Sequence, residues 1–144
     1  MKEVAKYSGC FVCGDNNSIG LKARFLFDGS RAVTEYTAEK RFEGYLGVFH
    51  GGITATLLDE VMIKALLAKD VYAMTVEMTV RFKKAVLTGE KLFFEGALES
   101  SRGRLFNTVG EVKNSSGEII ATATGKYLEV RKDMMEQLKK SLDT

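Results

Sequence analysis

Phe49-His50-Gly51-Gly52-Ile53-Thr54-Ala55-Thr56-Leu57-Leu58-Asp59-Glu60 contains the only histidine of the 144-residue chain, two glycines directly after it, and the beginning of the one long helical pattern. That pattern predicts a helix over Ile53 to Lys69. At about 100° per residue, Ala55, Leu57, Leu58, Val61, Met62, Ala65 and Leu66 sweep one broad apolar face. Glu60 falls opposite it, four residues before Lys64, the favoured order for a surface ion pair. Asp59 falls at the edge of the stripe, flanked by Ala55, Met62, Ile63 and Leu66, where a carboxylate is partly desolvated. The adjacent acids are therefore expected to differ, Glu60 solvated and Asp59 functional. Two glycines at a helix start let a ligand approach unpaired N–H groups and the positive end of the helix dipole. With a carboxylate two turns further on, the stretch has the parts for polarising a carbonyl and attacking it.

Outward from this stretch the chain reads mainly as strands. Residues 38–49 form a loop containing Gly44 and Gly47. Before it, Leu21, Ala23, Phe25 and Phe27 alternate as a strand, Asp28-Gly29-Ser30 turns the chain, and Arg31 to Thr37 is the partner strand. After the helix, Tyr72 to Val86 places Met74, Val76, Met78, Val80 and Phe82 on one side and Thr75, Glu77, Thr79, Arg81 and Lys83 on the other. Lys91 to Glu99, Leu105 to Lys113 and Ile119 to Val130 follow, separated by glycine-containing turns. Residues 1–20 are an N-terminal extension, and residues 131–144 a short C-terminal helix or tail. The expected order is strand, strand, helix, then four strands in a meander. That is an α+β domain over residues 1–144, with an antiparallel sheet wrapped around one long central helix.

Composition narrows the functional classes. The net charge of +2, from 21 basic and 19 acidic residues, is too balanced to indicate a nucleic-acid partner. No apolar run reaches the roughly 18 residues of a membrane span. Met1 to Lys6 lacks the apolar core of a signal peptide, so a cytoplasmic location is expected. Cys10-Phe11-Val12-Cys13-Gly14 has three readings: structural thiols, half of a metal site completed across a dimer, or a redox pair.

These residues resemble the hotdog-fold acyl-CoA thioesterases, in particular the PaaI-type (phenylacetate-pathway) group. The resemblance rests on His50-Gly51-Gly52 with Asp59 nine residues after the histidine. Gly44-Tyr45-Leu46-Gly47, the strand from Val76 to Lys84, Arg102-Gly103-Arg104, and the Cys-x-x-Cys-Gly start with Asn17 and Gly20-Leu21 support it. It implies a homodimer or homotetramer with sheets joined edge to edge and active sites at the subunit interface. It implies hydrolysis of an acyl-CoA thioester to a carboxylic acid and free coenzyme A, with no metal and no cofactor beyond the coenzyme A of the substrate. Asp59 would be general base or nucleophile, and the Gly51 N–H would polarise the thioester carbonyl. His50 would position the thioester or orient the loop, and Thr75 would hold the attacking water. Gly52, Tyr45 and Phe49 are candidate substrate contacts, and Lys83, Lys84, Arg102 and Arg104 are candidates for the coenzyme A phosphates. A non-catalytic acyl-CoA-binding protein and an enoyl-CoA hydratase or dehydratase are the alternatives on the same fold. In one departure, Gly44 stands where some members carry Asn or Gln, six residues before the histidine.

Overall fold

The computed structural model describes residues 1–142. Its long helix, α1, runs Gly51–Leu67, starting two residues earlier than the apolar periodicity indicates. The shift has a local cause: the His50 side chain caps the helix by accepting a hydrogen bond from the Gly52 N–H. Around α1 lie strands β1 (Lys2–Glu3), β2 (Leu26–Phe27), β3 (Arg31–Thr37), β4 (Ala73–Phe82), β5 (Lys91–Arg102), β6 (Leu105–Asn114) and β7 (Ile119–Glu129), with a terminal helix α2 (Lys132–Lys140). The strands form one antiparallel sheet in the order β1-β2-β3-β5-β6-β7-β4.

The sheet wraps around the helix as the sequence predicts, with α1 contacting β3, β4, β5, β6 and β7. Leu57, Leu58, Val61, Met62, Ala65 and Leu66 are fully buried. Each large side chain so buried contributes about 1.5–3 kcal/mol relative to exposure. Close approach of helix to sheet depends on Gly96 of β5, where a Cβ would stand 2.7 Å from the Val61 carbonyl oxygen. Among the described residues, no helix is long and apolar enough to cross a membrane.

The structure corrects three expectations. First, β4 to β7 are not a simple meander: β5, β6 and β7 are, but β4 pairs with β7 at the open edge of the sheet. The helix lies between β3 and β4 in sequence and delivers the chain to the far edge. The chain then returns past the helix start, where the Phe49 N–H bonds the Val86 carbonyl at 2.8 Å, and places β5 beside β3. Second, the five apolar residues expected on one side of β4 do not share one environment: Met78 and Val80 are half-buried against the core. Met74, Val76 and Phe82 are exposed, and a bulge between Thr75 and Glu77 breaks the alternation. Third, of the strand predicted from Leu21 to Phe27 only Leu26 and Phe27 pair in the sheet. Leu21 and Ala23 bond the Phe11 and Val12 carbonyls instead, at 2.8 and 2.9 Å. The N-terminal extension is thereby folded against the core, with Val4, Val12 and Cys13 buried.

Candidate active site

Two groups of residues sit on α1, one at its start and one two turns in. At the start, the His50 N–H bonds the Phe42 carbonyl at 2.9 Å, and its own carbonyl accepts from Ile53 and Thr54. His50 Nδ1 accepts from the Gly52 N–H at 2.8 Å, so the neutral ring carries its proton on Nε2. A Cβ at Gly52 would lie 2.9 Å from the imidazole, so a side chain there would push the capping ring aside. The Gly51 N–H has no partner among the described residues, as the first turn of a helix allows. The Phe82 ring, at the end of β4, stands 3.4 Å from where a Gly51 Cβ would be. Gly44 lies against the other side of the histidine, where a Cβ would approach Cδ2 to 3.3 Å.

A cavity of about 750 Å³ opens at this helix start. Tyr45, Phe49, His50, Gly51, Lys83 and Lys84 all line it, so the structure brings together six of the residues predicted from sequence. Phe49 is almost entirely buried, whereas Tyr45 stands out at the tip of the preceding loop. Lys84 pairs with Glu118 at 2.6 Å. Arg102 and Arg104 do not join these lysines. They turn β5 into β6, where the Arg104 Nε–H bonds the Glu129 carbonyl, and Glu129 pairs with Ala73 at the opposite end of β4 from Phe82. Sequence separation does not reveal which end of a strand a hairpin turn reaches, so the expected four-residue basic cluster divides in two.

Two turns into α1, Asp59 Oδ1 accepts two hydrogen bonds, from the Thr75 hydroxyl at 3.0 Å and the Tyr127 phenol at 2.8 Å. Among the described residues, no hydrogen bond reaches Oδ2. Tyr127 is fully buried on β7. Burial first, and then the Asp59 carboxylate beside it, pushes the phenol above its ordinary pKa and keeps it a donor. Tyr127 is not among the site residues predicted from sequence. One signal was available: Ala121, Ala123 and Gly125 precede it on alternate positions of β7, small residues that leave room for a large one. A Cβ at Gly125 would lie 2.6 Å from the Tyr127 ring. Tyr127→Phe is expected to lower stability by about 1–3 kcal/mol, because a buried hydrogen bond to a charged group is lost. Urea denaturation of the two proteins at one pH measures it.

Glu60 overturns its prediction. Its side chain is 14% exposed and Lys64, its partner at 3.9 Å, only 1% exposed. Burial, followed by the charge of Cys10, pushes the Glu60 carboxyl up to about 7. The periodicity of an isolated helix does not show that residues 4–13 fold over this face. They do so here, with the Lys64 ammonium donating to the Ala5 carbonyl and Cys10 Sγ lying 3.7 Å from Glu60.

A curled antiparallel sheet wrapped around one central helix defines the hotdog class, and here that helix has a histidine-capped glycine start and an acid two turns in. The chain belongs to the thioesterase superfamily, whose family profile matches residues 46–121. A protein of Archaeoglobus fulgidus is 30% identical over 102 residues, covering 71% of this chain, and the match spans 66% of that protein's length. Human acyl-coenzyme A thioesterase 13 is 27% identical over 94 residues, or 63% of this chain and 67% of its own. Among solved structures, the E. coli PaaI protein from the phenylacetic acid degradation operon superposes with a TM-score of 0.72 over 76% of this chain and 84% of its own, at 19% identity.

Proposed function

We propose that this protein hydrolyses an acyl-CoA thioester to a carboxylic acid and free coenzyme A, in active sites shared between two subunits. The observation that carries this reading is the pair of groups on α1: an Asp59 carboxylate oriented by two hydroxyls, and a Gly51 N–H without a partner among the described residues. The human relative's name supports the substrate class. The 750 Å³ cavity at the helix start offers Tyr45 and Phe49 to an acyl group and Lys83 and Lys84 to phosphates.

One chain cannot complete the site. Gly51 and Asp59 are eight residues apart, about 12 Å of helix. A carbonyl hydrogen-bonded to one is out of reach of the other. The exposed edge strand β4 supplies a solution. Asp59 is tied to Thr75 near the start of β4, and Gly51 lies under Phe82 at its end. Antiparallel pairing of two β4 edges about Met78 would set Thr75 of one chain opposite Arg81 of the partner subunit. That brings Asp59 toward Gly51 of the partner subunit, and Arg102 and Arg104 toward Lys83 and Lys84 of the partner subunit. It also covers Met74, Val76 and Phe82.

In this site the partner's Gly51 N–H, at the positive end of a helix, meets the thioester oxygen as it gains charge. Asp59 takes a proton from water, or attacks the carbon itself, through the free Oδ2. The Thr75 and Tyr127 hydroxyls hold Oδ1 and keep the carboxylate aimed. His50 fixes the loop by accepting from Gly52, so its role is to shape the oxyanion donor. Departure of the thiolate gives coenzyme A.

A panel of acyl-CoA thioesters with a thiol-release readout tests the activity; ligand binding without release of thiol would reject hydrolysis. Gly51→Pro tests the donor cleanly. Proline suits the first helical position, and His50 already has the extended φ −65°, ψ 125° that a following proline requires. The N–H is lost and the added Cβ meets the Phe82 ring at 3.4 Å, an ordinary contact, so kcat is expected to fall by about 10²–10³ with little change in Tm.

A further inference from the structure

The Cys-x-x-Cys pair takes no part in this chemistry, yet the fold builds a site around it. Residues 7–14 form a compact turn, with the Cys10 N–H bonded to the Tyr7 carbonyl and the Gly14 N–H to the Cys10 carbonyl, both at 2.9 Å. Gly14 is obligatory, since a Cβ would stand 2.4 Å from the Ser8 carbonyl oxygen. Cys10 Sγ accepts the Val12 and Cys13 N–H groups at 3.3 and 3.4 Å. These are donors suited to a thiolate. Cys13 is buried, and the Lys64 ammonium donates to its Sγ at 3.3 Å. The two Sγ atoms and a Glu60 carboxylate oxygen all lie within 4.8 Å of one another. Cys10, Glu60 and Lys64 line a second cavity, of about 540 Å³, and Cys10 is half-buried at its wall.

We propose that Cys10 and Cys13 are a redox-active dithiol that reduces small disulfides entering this second cavity. The Cys10 thiolate attacks one sulfur of a disulfide R–S–S–R. A Cys10–S–R bond forms as the S–S bond breaks, and RS⁻ leaves and takes a proton from water. The Cys13 thiol passes its proton to the Glu60 carboxylate, and its sulfur, steadied by Lys64, attacks Cys10 Sγ. The Cys10–Cys13 disulfide forms and the second RS⁻ leaves, protonated in turn. Two protein thiols are oxidised, and one disulfide is reduced to two thiols.

The surrounding charges suit these roles. The neighbouring Cys13 side chain, with the Cys13 and Val12 N–H groups, lowers the Cys10 pKa against the opposing effect of burial. The same contact with Cys10, and burial, raise that of Cys13. Glu60, pushed up to about 7, can take a proton and return it near neutrality. A divalent metal ion suits the cluster less, because the Lys64 ammonium already stands among its atoms, 3.3 Å from Cys13 Sγ and 3.9 Å from Glu60. The site shares no reacting atom with Asp59, although Met74 and Thr75 of β4 also line its cavity, so the dithiol chemistry stands whether or not the chain hydrolyses thioesters.

The test is incubation of the full chain in glutathione buffers of graded thiol-to-disulfide ratio, followed by acid quench, thiol alkylation and mass spectrometry. The expected result is a wild-type chain that loses two hydrogens to one internal disulfide. Cys13→Ser should stop at a glutathione adduct on Cys10, and Cys10→Ser should form neither species. Glu60→Gln should form the adduct at the wild-type rate and close it at least about tenfold more slowly. On the wild type alone, which avoids any folding defect of the variants, iodoacetamide should label Cys10 well ahead of Cys13. The proposal is overturned if both wild-type thiols survive the oxidising buffers, if Cys13 is alkylated as fast as Cys10, or if the purified chain holds one zinc ion that blocks both thiols.

Discussion

Asp59→Asn is expected to lower acyl-CoA turnover by about 10²–10⁴-fold, the usual range for removing a positioned acid–base group. The substitution keeps size and shape. The amide oxygen it introduces can still accept from Thr75 and Tyr127, the two donors that hold Oδ1 at 3.0 and 2.8 Å. What disappears is the negative oxygen that accepts a proton or attacks. Since the substituted atom acts at the reacting carbon and not on the coenzyme A moiety, the loss falls on kcat, with KM nearly unchanged. Steady-state kinetics with a thiol-release readout measure both. A variant that retains turnover within tenfold of the wild type would remove Asp59 from the mechanism.

Val76→Lys on β4 is expected to bring turnover down to background by a different route. Val76 is 60% exposed on the edge strand, and in the proposed pairing it lies opposite Val80 of the partner subunit, so a lysine there sets an uncompensated charge into the joined edge. Each separated chain keeps its own Asp59, Thr75 and Tyr127 but has no Gly51 within reach of its carboxylate. Size-exclusion chromatography and the kinetic assay, run together, measure the effect. A monomeric Val76→Lys chain with full activity would sink the shared site. A subunit-mixing experiment reinforces the point. Asp59→Asn and Gly51→Pro chains, each nearly inactive alone, should recover roughly a quarter of wild-type activity after mixing and re-equilibration, because half the dimers are mixed and each mixed dimer contains one intact site.

The glycines around His50 show why the residue at position 44 matters. The resemblance implies Asn or Gln there in some members, whereas here a Cβ alone would press to 3.3 Å from the imidazole. The ring therefore packs against bare backbone, and in the proposed site the partner's Gly51 N–H would be the principal oxyanion donor. This is why a large kcat effect is expected for Gly51→Pro.

Periodic and local features were legible in the chain alone. The 3.6-residue repeat of Leu57, Leu58, Val61, Met62 and Ala65 marked the central helix. Turn glycines marked the hairpins of β5, β6 and β7. The order His50-Gly51-Gly52 with Asp59 indicated where on the helix the two groups of the candidate site lie, since helix geometry depends on neighbours in sequence alone. Contacts between elements far apart in the chain were settled only when the sheet closed around the helix. Tyr127 reaches Asp59 across 68 residues, and the small residues before it on β7 do not name its partner. β4 lies at the sheet edge and not beside β5, because crossover is a property of the whole sheet. Glu60 reads as a solvated acid on the helical wheel, but the N-terminal segment folds over it and joins it to Cys10, Cys13 and Lys64. A wheel records which way a side chain points from its own helix, and burial depends on what the rest of the chain brings to that side.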